Sequence, residues 1–276
     1  MATLLLSDKL YANILNWLEF QDDPLKIYKL LSNEQDFLFL IDSLKKILAN
    51  EKFVVLKNTP FRTMNHLEAF IRFFGNYYGC VEHTGIKVDC NYTGCATNNL
   101  VLHNDDAVDI DSQPNIGFIQ VIKKDPLFKV KNGIVVIREL IRKLRYENPE
   151  LLEKLLTTKV PMISKGINFD SENKKIIELK SNILYKEKNE YKVRFDYDRI
   201  MYYYQYHKLK QSYEEGKMIY QFLMHCEDLK KNIFLDIGDI LIHDNKATLH
   251  DRNECSIGID VDQKLFTREI FVSFAL

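Results

Sequence analysis

The chain of 276 residues contains no apolar run approaching the ~20 consecutive residues that a bilayer-spanning helix needs, so a helical membrane protein is not expected. Its start, Met1-Ala2-Thr3-Leu4-Leu5-Leu6-Ser7-Asp8, lacks both the basic flank and the long apolar core of a secretory leader. There are only five cysteines, Cys80, Cys90, Cys95, Cys226 and Cys255, and none forms a CxxC pair. An odd, unpaired set argues against a disulfide framework and against structural zinc, and it suits a reducing compartment. The expected location is therefore cytoplasmic. Charge of either sign is also missing as a net quantity: 38 Lys and Arg face 39 Asp and Glu, a formal balance of -1. No global field draws nucleic acid or an acidic membrane, and neither is expected as a partner. No internal repeat, low-complexity stretch or compositional shift marks a boundary, so residues 1–276 are expected to form a single domain, with a helical N-terminal region over about 1–50.

A hydrophobic fraction of 46% is ample for a core. Leu10, Ile14, Leu15 and Leu18, then Leu40, Ile41, Leu44, Ile47 and Leu48, repeat with helical period and read as scaffold packing. Phe53-Val54-Val55-Leu56 reads as a buried strand, and Thr63 as the N-cap of a helix running to about Gly79, with His66 on its surface. Residues 80–102 read as an irregular polar segment, in which Asn91 to Asn99 form a loop that either walls the substrate side, the favoured reading, or lies solvated at the surface. Asn115 to Ile122 reads as a strand, Asn132-Gly133 as a turn, and Gly133 to Ile137 as a strand entering a helix over 138–146. A second helix starts at Asn148-Pro149. Residues 158–206 read as antiparallel β, broken at Ser171-Glu172-Asn173 and at Lys186 to Asn189. Within them the run Tyr202 to Tyr206 reads as a half-buried sheet or loop edge, since no basic stripe surrounds it for base stacking. An amphipathic helix is expected over 208–230, then two short strands around Gly238-Asp239. The final strand, Leu265 to Phe274, sets Arg268 on one face with Phe266, Ile270 and Val272. An arginine buried among apolar neighbours needs an anionic partner.

The chemistry gathers around Leu102-His103-Asn104-Asp105 and, far downstream, Leu249-His250-Asp251-Arg252. His103 and Asp105 are two apart, so on extended backbone both side chains point the same way and can meet one ion. His250 supplies a third ligand from a distant strand. Two histidines and one carboxylate on one face, with open positions opposite, form the ligand set of non-heme Fe(II) oxygenases. Zinc accepts the same three residues, so a zinc hydrolase on this triad stays open, as does a jelly-roll protein that binds without catalysis.

Three blocks carry a family resemblance over roughly residues 50 to 276. They are Leu102-His103-Asn104-Asp105 before a strand; Gly133-Ile134-Val135-Val136 leading into helix and then Asn148-Pro149-Glu150-Leu151; and Leu235 to Asn245, followed by Leu249-His250-Asp251-Arg252 and Arg268. Together they resemble the taurine dioxygenase family of iron(II)- and 2-oxoglutarate-dependent oxygenases, with its clavaminate-synthase-like branch. The resemblance implies a mainly β fold with flanking helices, the double-stranded β-helix or jelly roll. It implies Fe(II) on His103, Asp105 and His250, with Arg268 binding the distal carboxylate of 2-oxoglutarate and Arg252 as the second arginine of the motif. It further implies O2 as co-reactant, release of succinate and hydroxylation of a small molecule. An aspartate at 105 favours hydroxylation, since halogenating relatives carry a small residue there. The family's cosubstrate-contacting threonine is missing: Val135 stands where it is expected. Asp106 and Asp109 beside the motif, with Arg199 and the tyrosine run, suggest a zwitterionic substrate, a free amino acid or related amine; the same aspartates also read as a solvated loop.

Overall fold

The computed structural model describes residues 3–85, 97–164 and 176–276. Capping and period account for its helical start. Helix α1 (Asp8–Leu18) begins where the Ser7 hydroxyl accepts from the Leu10 N–H, and it buries Leu10, Ile14 and Leu18. Helix α2 (Pro24–Leu31) starts behind Asp23, whose carboxylate accepts two backbone N–H groups. Helix α3 (Gln35–Glu51) stops at Lys52, which takes the left-handed conformation at φ 67°. The expected helical N-terminal region is thus three helices. Helix α4 (Met64–Ile71) is capped by Thr63 as expected, but ends eight residues before Gly79. At Gly75 the chain presses on the C-terminal backbone, where a Cβ would lie 2.5 Å from the Leu276 carbonyl oxygen, and the β-prone Tyr77-Tyr78 pair opens strand β3 (Tyr77–Thr84) instead. His66 is buried rather than exposed; its Nδ1 accepts from the Arg62 N–H.

Two sheets enclose a shared apolar layer. The larger has the order β1 (Thr3–Leu5), β2 (Phe53–Lys57), β12 (Ile240–Asp244), β5 (Ile116–Lys123), β16 (Glu269–Ala275) and β3. All its pairs are antiparallel except β1 with β2. The smaller has the order β11 (Lys231–Ile233), β6 (Asn132–Val136), β13 (Thr248–Arg252) and β4 (Leu100–His103). Alternation along each strand sorts the side chains. Val54 and Leu56 of β2 join the cluster packed under α1 to α4, while Phe53 and Val55 meet Ile134 and Val136 of β6 between the sheets. Leu249 of β13 faces outward into a second cluster with helices α5 (Ile137–Glu147), α6 (Pro149–Thr157) and α8 (Tyr213–Leu229). Its neighbours Thr248 and His250 therefore face inward. The fold is the expected double-stranded β-helix, and three short ribbons complete it: β7 (Lys159–Ile163) with β8 (Glu178–Asn182), β9 (Leu184–Glu187) with β10 (Glu190–Val193), and β14 (Gly258–Ile259) with β15 (Leu265–Phe266).

Three local expectations fail for physical reasons. Asn132-Gly133 is not a turn but the start of β6, buried on both faces. The tyrosine run is helical: α7 (Tyr197–Tyr206) is nucleated by Asp196, whose side chain accepts from the Arg199 N–H, and tertiary packing of Ile200 outweighs the strand preference of tyrosine. The final strand is interrupted, leaving Thr267 and Arg268 as a link between β15 and β16. The turn at Ser171-Glu172-Asn173, Cys90, Cys95 and most of the loop from Asn91 to Asn99 lie outside the described residues.

Gly238-Asp239 ties three strands together. The Gly238 carbonyl accepts from the Thr59 N–H and hydroxyl, its N–H donates to Val121, and the Asp239 carboxylate accepts from the Asn58 N–H and pairs with Lys57. Gly238 sits at φ 84°, and a Cβ there would meet the Thr59 oxygen at 2.7 Å. Gly238→Ala is expected to lower unfolding free energy by more than ~1 kcal/mol in urea denaturation.

Candidate metal centre

The register of the smaller sheet builds the centre. β4 and β13 run antiparallel with His103 directly opposite His250, and the imidazole centroids are 4.3 Å apart. Asp105 follows β4 after one residue, with a carboxylate oxygen 3.7 Å from His103 Nε2 and the other 3.5 Å from His250 Nε2. One ligand atom from each of the three residues falls within 4.8 Å of the others, and no other such group of His, Cys, Asp or Glu occurs among the described residues.

Neighbouring amides fix the segment. Asn104 is fully buried; its N–H donates to the Phe195 carbonyl at 2.9 Å, and its side-chain oxygen accepts from the Phe195 N–H at 2.8 Å. Asn245, in the turn after β12, accepts from the Asp105 N–H at 2.9 Å and donates to the Asp105 carbonyl at 3.0 Å. A second donation from Asn245 reaches the Pro114 carbonyl at 3.1 Å. The backbone on both sides of the ligand carboxylate is thereby clamped, leaving both its oxygens for the imidazoles. The Nδ1–H of His103 donates to its own strand, to Val101 O at 2.8 Å, which leaves Nε2 facing the cluster.

The electrostatics describe a site that holds one proton. Burial disfavours charge on His103, but the hydrogen bond and charge of Asp105, with Asp196 beyond, outweigh it and raise His103 to about 9. Burial likewise opposes ionisation of Asp105, yet the adjacent imidazoles of His250 and His103 hold it well below the usual carboxylate range. His250 is pushed far down by burial and is neutral. Near neutral pH the cluster is therefore an imidazolium, a carboxylate and a neutral imidazole. A divalent cation suits this donor set, replacing the proton on His103.

The two arginines of the motif differ. Arg252 Nη2 donates to the Asn98 carbonyl at 2.8 Å, and Nη1 lies 2.9 Å from Cys255 Sγ. Arg268 is 6% exposed; Nη2 donates to Asn132 Oδ1 at 2.7 Å, while Nη1 has no hydrogen-bond partner. No carboxylate of the described residues forms an ion pair with Arg268, and burial, with Arg252 nearby, depresses its guanidinium to about 10. A buried cation with a free N–H is matched to a carboxylate ligand. Val135, where the family's threonine is expected, faces the outer cluster of α5, α6 and α8 and cannot serve this site. Asn132, three residues earlier and on the inward face of β6, is the polar residue beside Arg268. Reading Asn132-Gly133 as a turn concealed it.

Other expected site residues sit elsewhere. Asp109 accepts from the Asp111 and Ser112 N–H groups and holds its own loop, the bland reading of that aspartate. Arg199 donates to the Ser164 carbonyl at 2.7 Å and lies 3.7 Å from Asp196. Asp196 went unnoticed in the sequence. Its backbone forms an isolated antiparallel bridge with that of His103, its charge helps raise His103, and its only sequence signal is that of a helix N-cap.

No family model and no curated protein sequence matches the chain. Solved structures do. Asparagine oxygenase in complex with Fe(II), 3-hydroxyasparagine and succinate aligns with TM-score 0.76 at 14% identity, covering 100% of this chain and 94% of that one. The non-heme iron oxygenase OrfP with Fe, succinate and dihydroxy-L-arginine aligns with TM-score 0.73 at 12% identity, covering 100% and 94%. OrfP with Fe and α-ketoglutaric acid aligns with TM-score 0.69 at 12% identity, covering 100% and 93%. The chain thus has the fold of these iron oxygenases along its full length.

Titration of the metal-free protein with Co(II) in buffers of different ionisation enthalpy is expected to release about one proton per ion near pH 7.5. Because the raised His103 must lose its proton first, affinity should climb with pH and level off above about 9. Release of no proton would show that His103 stays out of the coordination sphere.

Proposed function

We propose that this protein is an iron(II)- and 2-oxoglutarate-dependent dioxygenase that hydroxylates a small molecule, a free amino acid or related amine. The observation that carries the reading is the pairing, inside one sandwich, of a buried His-Asp-His cluster with a buried arginine that has no carboxylate partner among the described residues. A zinc hydrolase needs the first feature but has no use for the second, and a binding protein without catalysis has no use for the first.

In this reading His103, Asp105 and His250 hold the metal and are the catalytic residues. Bound there, Fe(II) would supply O2 activation coupled to oxidative decarboxylation of the cosubstrate: substrate C–H, O2 and 2-oxoglutarate give substrate C–OH, succinate and CO2. The protein's own contribution is geometric and electrostatic. Arg268 Nη1–H takes the distal carboxylate of 2-oxoglutarate, and Asn132 holds the other guanidinium nitrogen so that the fork is already oriented. Arg252 braces the strand that carries His250 through its bonds to Asn98 and Cys255. The apolar layer of Phe53, Val55, Ile119 and Leu241 under the cluster keeps water from one side of the reacting centre. We read residues 1–276 as one oxygenase unit.

The amino-acid substrate is supported by two observations. Solved structures of the same fold contain hydroxylated asparagine and arginine. Asp196 brings a carboxylate whose charge reaches His103, an acidic group suited to the amine of such a molecule.

Arg268→Ala is expected to raise the 2-oxoglutarate requirement by about 2–5 kcal/mol in apparent binding, with Arg252→Ala acting mainly through stability. Measuring KM for 2-oxoglutarate and the unfolding midpoint of both variants checks this; a larger KM effect in Arg252→Ala reverses the two roles. Succinate release is expected to exceed the uncoupled background with one or more free amino acids, and to vanish in His103→Ala, Asp105→Ala and His250→Ala. Stimulation by sulfonates or uncharged lipids alone would remove the amino-acid assignment and leave the oxygenase reading standing.

A further inference from the structure

A third histidine belongs to this centre. His243, on β12, is fully buried, and its ring lies 4.7 Å from that of His250, centroid to centroid, on an interplanar angle of 56°. The three imidazoles of His103, His250 and His243 therefore form a row, with His250 in the middle. The hydrogen bonds fix the tautomer of the third. The Thr248 hydroxyl donates to the Asp244 carbonyl at 2.9 Å, so its oxygen is left to accept, and it lies 3.1 Å from His243 Nδ1. His243 thus carries its proton on Nδ1 and has a lone pair on Nε2, and that buried Nε2 has no hydrogen-bond partner. On the adjacent ring the pattern is complementary. His250 turns Nε2 toward the Asp105 carboxylate, which draws the proton to Nε2 in the metal-free protein; once Nε2 engages a metal the proton is left on Nδ1, and that buried Nδ1 is also without a partner. With a metal on His250 Nε2, one orphaned acceptor and one orphaned donor sit on neighbouring rings beside the apolar layer between the sheets.

Space for the third ring is created on the far strand. Gly117 of β5 stands opposite His243 in the register, and a Cβ at that position would lie 2.3 Å from His243 Nε2. The glycine and the histidine are parts of one arrangement: without the missing side chain at 117 the imidazole has nowhere to lie.

We propose that His243 is a positioning residue for His250, accepting the His250 Nδ1–H when Nε2 engages the metal, so that Thr248, His243 and His250 act as a relay that orients the ligand ring. The proposal rests on the metal reading given above. Metal-bound histidines as a rule donate their second N–H to a partner that sets ring orientation and basicity, and loss of such a partner weakens metal affinity roughly 10- to 100-fold. Here the partner is an imidazole reached from the opposite sheet, which couples the ligand strand β13 to β12.

The test is a Co(II) titration of the metal-free protein, followed by visible absorption, together with thermal melting without metal. His243→Leu removes the acceptor at similar volume, and a roughly 10- to 100-fold loss of Co(II) affinity with an altered ligand-field spectrum is expected. His243→Gln, which offers a carbonyl oxygen, should recover most of that loss. Gly117→Ala, which leaves every imidazole in the chain but displaces the ring, should behave like His243→Leu, and it carries the test if His243→Leu does not fold. Wild-type Co(II) affinity and spectrum in His243→Leu or in Gly117→Ala would overturn the proposal, as would a lowered melting point with no change in affinity. Failure of the underlying metal reading has a different signature: wild type and His250→Ala would bind Co(II) alike.

Discussion

The centre depends on one antiparallel register, that of β4 against β13. His103 opposite His250 is a cross-strand pair on the inner face of the smaller sheet, and every ligand distance at the site descends from it. A slip of one residue in either strand would turn that strand's imidazole outward into the helix-packed cluster and bring its neighbouring leucine, Leu102 or Leu249, inward. Those two leucines, buried at 3% and 0% exposure against the outer helices, are therefore what holds the histidines in. The metal chemistry is secured by apolar burial on the opposite face of the same strands. Local hydrogen bonding completes what the register begins, since Asn104 and Asn245 clamp the two residues that follow β4.

Much of this was legible in the sequence because the signals were periodic or chemically distinctive. The short continuous apolar run of β2, helical spacing in α1 and α3, and the pairing of His103-x-Asp105 with a distant His250 and Arg268 each carry a physical reason within the residues themselves. What stayed hidden depends on long-range contacts. A helix was expected to run through Gly75, but the C-terminal backbone presses on that glycine from 201 positions downstream (276 minus 75). Asn132-Gly133 has turn composition, and only the pairing of β6 with β13 and β11 makes it strand. The tyrosines from 202 to 206 follow a capping aspartate whose role depends on where His103 brings the chain. Asp196 and Asn132 look unremarkable as letters; they become part of the site because distant strands meet them.

The two arginines show why proximity in a motif is a poor guide to role. Arg252 lies two residues from a ligand and has its guanidinium held by Asn98 and Cys255. Arg268 lies 18 residues from His250 in sequence (268 minus 250), reaches the same interior from the other sheet, and keeps one N–H unmatched. Desolvation of an unmatched guanidinium is unfavourable for the empty protein, and an incoming carboxylate removes that penalty at the moment of binding. Cosubstrate affinity on this reading comes as much from relieving the unliganded state as from the new contact.

Asn245 holds Asp105 entirely through the backbone, by its N–H and its carbonyl, and makes no bond to the carboxylate. Chain path and ligand identity at position 105 are thus specified by separate means. The loop would keep its course whichever side chain occupied that position. Such a division makes the carboxylate an interchangeable part. Descent from one scaffold can exchange that ligand, or dispense with it and leave a coordination position open to an external anion, without rebuilding the barrel mouth around it.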